Sequence, residues 1–135
     1  MSGLLDELNR GNVAIVDQVV DPDALLISPH LSEPVRGRQA FKDVFSGAGI
    51  EALALQYTLE QILAEGDSVV ARFIGRGTHR GEFAGAAATG KPVTMDIVVI
   101  YRVANAQIIE YRLNCDTLGF MQQVGAIPAA AGGTS

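Results

Sequence analysis

The chain has 135 residues, of which 48% are hydrophobic and 19% charged, and its formal net charge at pH 7 is -5. This length predicts one domain, and the negative charge argues against binding to nucleic acid or an anionic membrane, because phosphates would be repelled. No run reaches the roughly 18 apolar residues of a membrane span, and a single cysteine, Cys115, excludes an internal disulfide and a cysteine-rich metal site.

The first part of the chain predicts two helices around a short strand. The opening sequence MSGLLDELNR has acids where a secretory signal carries positive charge, so we expect a cytoplasmic protein. Asn12 can cap a helix that stops at Asp21-Pro22, and a buried strand follows over residues 24–28. The second helix has one apolar face, formed by Ala40, Phe41, Val44 and Phe45.

From the end of this helix to Cys115 the pattern is that of an antiparallel sheet. Alternating apolar residues around Tyr57 predict a strand, and a turn at Gly66-Asp67 leads into a strand over 69–79. After a loop rich in glycine and alanine come the two strands of a hairpin, with the turn at Asn105-Ala106; they span residues 93–103 and 107–115.

A helix beginning near Thr117 completes an α+β domain. The domain is expected to span residues 1–128, and residues 129–135 form an Ala/Gly-rich tail that we expect to be disordered.

The hairpin turn also predicts which residues face each other. It places Tyr101 opposite Glu110 and Met95 opposite Asp116. One face then carries Met95, Ile97, Val99 and Tyr101 beside Glu110, Arg112, Asn114 and Asp116. The other face includes the stripe Val98, Ile100, Tyr111 and Leu113. Because both faces mix apolar and polar groups, we expect one to cover a cavity and the other to be covered by a second subunit.

Asp116 has two interpretations that the spacing leaves open. Beside Met95 and Ile97 its carboxyl would lose hydration, which raises the pKa toward a range useful for general acid/base catalysis. Asn114, on the same face, could hold that acid or a substrate oxygen. An aspartate directly before a helix is also a preferred N-cap, and one residue can do both.

His79 ends a predicted strand, where it could shuttle a proton or orient an acid, or could be an ordinary solvated side chain. With only two histidines in the chain, a metal site of several histidines is excluded, and we expect no metal. His30 lies in a proline-bounded loop and receives no role.

The segment from Ala71 to Gly125 resembles the SnoaL-like polyketide cyclases, also called ester cyclases, of the nuclear transport factor 2-like superfamily. The matching features are GTHRGEF at a strand end, TGKPV at the entry to the next strand, and DTLGFMQQVG closing the domain. Upstream, EPVRGRQAF and ILAEGDSVVARF are similar too, so the likeness covers residues 8–128. The chain departs from the family where Cys115 replaces a large aromatic residue and Phe73 replaces a tryptophan.

The resemblance implies a cone-shaped, cystatin-like fold, in which a curved antiparallel sheet packs on N-terminal helices around a closed apolar pocket. It implies that Asp116 removes a proton next to a carbonyl, so that the carbanion closes a ring by intramolecular aldol condensation without metal or cofactor. His79 is the second catalytic candidate. The expected substrate-binding residues are Asn114, Tyr101, Met95, Ile97, Val99 and Phe73.

The family further implies a hydrophobic small-molecule substrate and a homodimer formed through the outer sheet face. Two other functions stay open for the same fold. One is a small-molecule binding protein without catalysis. The other is an epoxide hydrolase, although the Arg-x-Asp pattern of that activity is missing before the TG turn.

Overall fold

The computed structural model describes residue 10 and residues 12–128, so the predicted tail at 129–135 lies outside the described residues. After a 3-10 turn (Val13–Ile15), the helices are α1 (Val16–Val19), α2 (Arg38–Phe45), α3 (Ala48–Leu53) and α4 (Thr117–Gln123). The strands are β1 (Val20–Ile27), β2 (Val35–Arg36), β3 (Gln56–Glu65), β4 (Ser68–Thr78), β5 (Pro92–Ala104) and β6 (Gln107–Cys115).

The six strands form one curled sheet that does not close, in the order β2-β1-β6-β5-β4-β3. All neighbouring strands are antiparallel except β1 and β6, which are parallel. The inner face of the sheet and the helices enclose one apolar core, to which Phe41, Leu53, Phe73, Val99 and Phe120 belong. The prediction of an α+β domain with a curved sheet is confirmed.

The hairpin turn lies where the sequence predicts it. Asn105 and Ala106 both have positive φ, 54° and 64°, as the two central residues of a type I′ turn require. Next to the turn, Ala104 pairs with Gln107. The prediction is therefore confirmed for the turn and the pair that closes it.

A β-bulge changes the register along the rest of this hairpin. One extra residue, Ile109, is accommodated on β6, and beyond it Tyr101 pairs with Tyr111 rather than with Glu110. Because a shift by one residue turns each side chain to the opposite face of the sheet, the predicted faces of β6 are wrong. The inner residues of β6 are Tyr111, Leu113 and Cys115, and its outer, more exposed residues include Arg112 and Asn114.

Two elements differ from the prediction in the first half of the chain. β1 begins at Val20 and runs through Pro22, although we expected a helix to stop there and the strand to begin later. Pro22 lies where the pairing of β1 with β6 is irregular, and a residue without an N–H is tolerated at such an irregularity. Helix α3 also occupies a stretch predicted as β.

Helix α3 is hydrogen-bonded to the segment that follows β4. The backbone N–H groups of Arg80 and Gly81 both donate to the carbonyl oxygen of Ala52, at 2.8 and 3.1 Å. Gly77 allows this approach, because a Cβ at that position would collide with the carbonyl oxygens of Leu53 and Ala54. The contact holds the end of α3 beside the sheet.

Candidate functional site

A cavity of about 350 Å³ lies between the inner face of the sheet and helices α2 and α3. Most of its lining is apolar, and such a lining is typical of small-molecule sites. Among the residues predicted to bind substrate, those that line the cavity are Phe73, Met95, Ile97, Val99 and Tyr101. Their part in binding stays a prediction, but the structure brings these five together.

Three tyrosines contribute hydroxyl groups to this lining: Tyr57, Tyr101 and Tyr111. Burial raises the pKa of Tyr57 and that of Tyr101 to about 12. Burial also raises the pKa of Tyr111, with the neighbouring Tyr101 and Tyr57 adding to the rise. All three hydroxyls therefore keep their protons at neutral pH and can donate hydrogen bonds to a ligand.

The hydroxyls of Tyr101 and Tyr111 have no hydrogen-bond partner in the described part of the chain. Tyr101 is 2% exposed and Tyr111 6% exposed, and their rings pack edge to face at 5.2 Å. Each lines the cavity, and no fully buried side-chain N or O atom of the described chain lacks a partner. Since a buried polar group without a partner is costly, we infer that these hydroxyls face the open space of the cavity, where water or a ligand can bind them.

His30 lies at the part of the cavity that reaches the protein surface. Its Nε2 atom is 3.2 Å from Cys115 Sγ and 3.1 Å from Thr117 Oγ1. Its ring packs against Phe83, with the ring centroids 5.0 Å apart. His30 is exposed on its outer side, and partial burial lowers its pKa below the ordinary 6.5, so the imidazole is mostly neutral at pH 7 and can accept a proton.

Local and long-range features together hold His30 in this place. Leu31 N–H donates to Ser28 O at 3.1 Å, which closes a turn with Pro29 in its second position, where proline is favoured. The parallel pairing of β1 with β6 then places this turn beside the end of β6. His30 was not predicted as a site residue, because its partners lie 85 and 87 residues away in the chain. Its one local signal is a Ser-Pro-His turn after a buried strand.

The described cavity lining contains one carboxyl group, that of Asp43 on α2. It is exposed, and its Oδ1 atom accepts a hydrogen bond from Gln39 Nε2 at 2.9 Å. Asp43 is therefore the acidic residue of the described lining, and it lies next to solvent.

Asp116 and Asn114 lie outside the cavity. Both are exposed and line a shallow depression on the outer face, together with Asp96 and Val98. Asp116 Oδ1 accepts a hydrogen bond from Gly119 N–H at 2.8 Å and caps α4. The expectation that this carboxyl is buried beside Met95 and Ile97 is wrong, because it depended on the register that the bulge shifts.

His79 is fully buried, but it is not part of the described cavity lining. Its Nε2 atom lies 3.2 Å from the carbonyl oxygen of Ala86, and its Nδ1 atom lies 2.9 Å from Thr89 Oγ1. A carbonyl oxygen only accepts, so Nε2 carries a proton, and in the neutral ring Thr89 donates to Nδ1. Both nitrogens hold loop segments together, and the catalytic role predicted for His79 stays a prediction without support from this geometry.

A family model described as SnoaL-like polyketide cyclase matches residues 1–124. The chain belongs to this family. No curated protein sequence matches it. A structure assigned as a SnoaL-like polyketide cyclase from Jannaschia sp. CCS1 is 27% identical, with a TM-score of 0.80 over 93% of this chain and 88% of that one.

Two other solved structures are similar to this SnoaL-like protein over most of their length. IdmH from Streptomyces antibioticus, assigned as a polyketide cyclase, is 27% identical, with a TM-score of 0.79 over 92% of this chain and 94% of that one. TsrD from Streptomyces laurentii has a TM-score of 0.81 over 94% and 92% of the two chains, and at 23% identity it shows the fold alone. The fold is that of the nuclear transport factor 2-like superfamily.

Two further findings concern the described part of this SnoaL-like chain. It has no helix that is both long enough and apolar enough to cross a membrane. Nor does it bring together three or more His, Cys, Asp or Glu side chains in a group that could hold a metal ion.

The capping bond of Asp116 predicts how substitutions there affect stability. Asp116→Ala removes the acceptor for Gly119 N–H and should lower the free energy of unfolding by about 1 kcal/mol, whereas Asp116→Asn retains a good cap and should change it little. Urea denaturation of the two variants and the wild type checks this. Equal losses for both variants would contradict the capping role.

Proposed function

We propose that this SnoaL-like protein catalyses cofactor-independent acid/base chemistry, either ring closure or isomerisation, on a hydrophobic carbonyl compound held in the cavity. The observation that carries the proposal is the position of His30, a neutral base that lines an apolar cavity containing protonated tyrosines. Family membership supports the same class of reaction.

The chemistry divides between the two kinds of polar group. His30 removes a proton from the carbon next to a carbonyl, and a tyrosine hydroxyl donates a hydrogen bond to the enolate oxygen that forms. In ring closure the carbanion attacks a second carbonyl of the same molecule, and the imidazolium returns the proton to the new alkoxide. The apolar walls exclude water, which strengthens the hydrogen bond to the developing charge.

Asp116, the acid/base implied by the family resemblance, is the competing candidate for the same step. Asp116 is absent from the cavity lining and its Oδ1 atom accepts a hydrogen bond from Gly119 N–H, whereas His30 lines the cavity, and this difference supports His30 instead. Asparagine at position 116 can still cap the helix but cannot take a proton, so Asp116→Asn tests chemistry without loss of the cap.

We expect His30→Asn to lower the rate of ring closure about 100- to 10,000-fold, the usual contribution of a general base. The assay follows ring closure on a panel of linear aromatic polyketide precursors by chromatography. Asp116→Asn and Asp43→Asn are the matched controls, because each removes one nearby carboxylate, and both should stay close to the wild-type rate. A large loss in Asp116→Asn with none in His30→Asn would move the acid/base role to Asp116.

The lowered pKa of His30 also predicts the pH dependence of this reaction. Only the neutral imidazole accepts a proton, so kcat/KM should be constant near pH 7 and should fall as the pH drops through a pKa below 6.5. A pH profile of kcat/KM with wild-type protein checks this. A rate that rises toward acid pH would contradict a role for His30 as base.

A second candidate function is binding of a small molecule without turnover, and the exposed position of Asp116 favours it. We then expect native mass spectrometry of gently purified protein to show a retained hydrophobic ligand, lost in a variant with a filled cavity such as Val99→Phe. Steady turnover of any substrate in the panel would rule out a purely binding role.

We also propose a homodimer formed through the outer face of the sheet. The stripe predicted from the sequence must be corrected, because Tyr111 and Leu113 line the cavity. Val98 remains partly exposed on the outer face, where Val70 and Ile100 are 36% and 37% exposed. Light scattering should give twice the chain mass, and Ile100→Asp should shift it toward the monomer; a monomeric wild type at high concentration would contradict the dimer.

A further inference from the structure

Cys115 is the single thiol of the chain and has two distinctive neighbours. Its side chain is half-buried at the end of β6 and lines the cavity. Sγ lies 3.2 Å from Nε2 of His30, within the range of a hydrogen bond to sulfur, and 3.7 Å from Oγ1 of Thr117. A base is thus in contact with a nucleophile inside a ligand-sized space.

The same cavity shows an independent sign of an oxygen-bearing ligand. Tyr101 and Tyr111 are almost entirely buried and line the cavity, and their hydroxyls have no hydrogen-bond partner in the described chain. Both can donate to a carbonyl oxygen. Cys115 and Tyr57 line the same cavity as this pair, and a thiolate at Cys115 would raise the pKa of the Tyr57 hydroxyl. The thiol and the hydroxyl donors therefore belong to one site.

We propose that Cys115 is a covalent attachment site for α,β-unsaturated carbonyl compounds bound in this cavity, with His30 as the base that activates the thiol. In the step, His30 Nε2 takes the thiol proton while sulfur adds to the β-carbon of the ligand. The carbon–carbon π bond breaks and an enolate forms, whose oxygen accepts a hydrogen bond from tyrosine. The imidazolium then returns the proton to the α-carbon, so the net change is addition of S–H across the double bond.

Burial explains why such a thiol would react selectively. Burial, the larger effect, and the nearby Asp116 raise the pKa of Cys115 above its ordinary value, although the hydrogen bond with Thr117 opposes this. The resting group is therefore a thiol, which is a poor nucleophile toward electrophiles in solution. Attack becomes favourable only when a bound electrophile lies beside the sulfur and His30 can take the proton in the same event.

This inference shares the cavity and His30 with the proposed function, but it does not require ring closure. Covalent labelling is measured without turnover, so a failure to observe labelling does not contradict ring closure, and a failure to observe ring closure does not contradict labelling. The single cysteine simplifies the measurement, because every thiol adduct reports on Cys115.

The test uses 4-phenylbut-3-en-2-one, an apolar enone, with adducts counted by intact-protein mass spectrometry. We expect one probe per chain, a labelling rate that saturates with probe concentration, and protection by the saturated ketone 4-phenylbutan-2-one. Cys115→Ser should give no adduct. His30→Asn should lower the maximal rate about 100-fold or more if the imidazole is the base, and Asp43→Asn is the control with a charge removed elsewhere in the cavity.

Three results would overturn the proposal. The first is a rate that rises linearly with probe concentration without saturation. The second is the absence of protection by the saturated ketone in the wild type, a measurement that needs no variant to fold. The third is a folded His30→Asn variant, checked by circular dichroism, that labels as fast as the wild type.

Discussion

The bulge at Ile109 is the constraint on which the cavity depends. Without it, β6 would turn its charged residues inward and its tyrosine outward, and the curled sheet would enclose Glu110 and Arg112 beside Tyr101 and Val99. Burying those charges would cost far more than the hydrophobic contacts contribute. The bulge instead brings Tyr111 opposite Tyr101, and one partly buried residue without a register partner is a small cost for an inner sheet face without charge.

The pairing of β1 with β6, two strands far apart in the chain, adds reactive side chains to one end of the apolar cavity. Strand β1 runs parallel to β6, so the loop that leaves β1 emerges at the same edge of the sheet as the end of β6. This edge collects an imidazole, a thiol and a hydroxyl from two distant parts of the chain. Asp116, the acid that the predicted hairpin register turned inward, instead holds the start of α4.

The sequence was sufficient for the elements whose signals are local. The Asn105-Ala106 turn, both strands of the last hairpin and the start of α4 depend on neighbouring residues, and the structure has them at or within one residue of the predicted positions. The residues of β5 that line the cavity could also be predicted, since alternation along one strand is unaffected by its partner. The faces of β6 could not, because a bulge leaves no clear sign in the sequence, and His30 could not, because its importance comes from a parallel pairing between strands far apart in the chain.

The two free tyrosine hydroxyls have a consequence for which molecules the cavity selects. In the absence of ligand, ordered water is the natural partner for such donors, and any molecule that enters must release that water. A pure hydrocarbon of the right shape would leave both hydroxyl donors without an acceptor, and this cost would cancel much of the binding free energy gained by burying its surface. A ligand with suitably spaced oxygens would instead replace the hydrogen bonds of the displaced water. The pair therefore discriminates by oxygen pattern more sharply than the surrounding walls can discriminate by size.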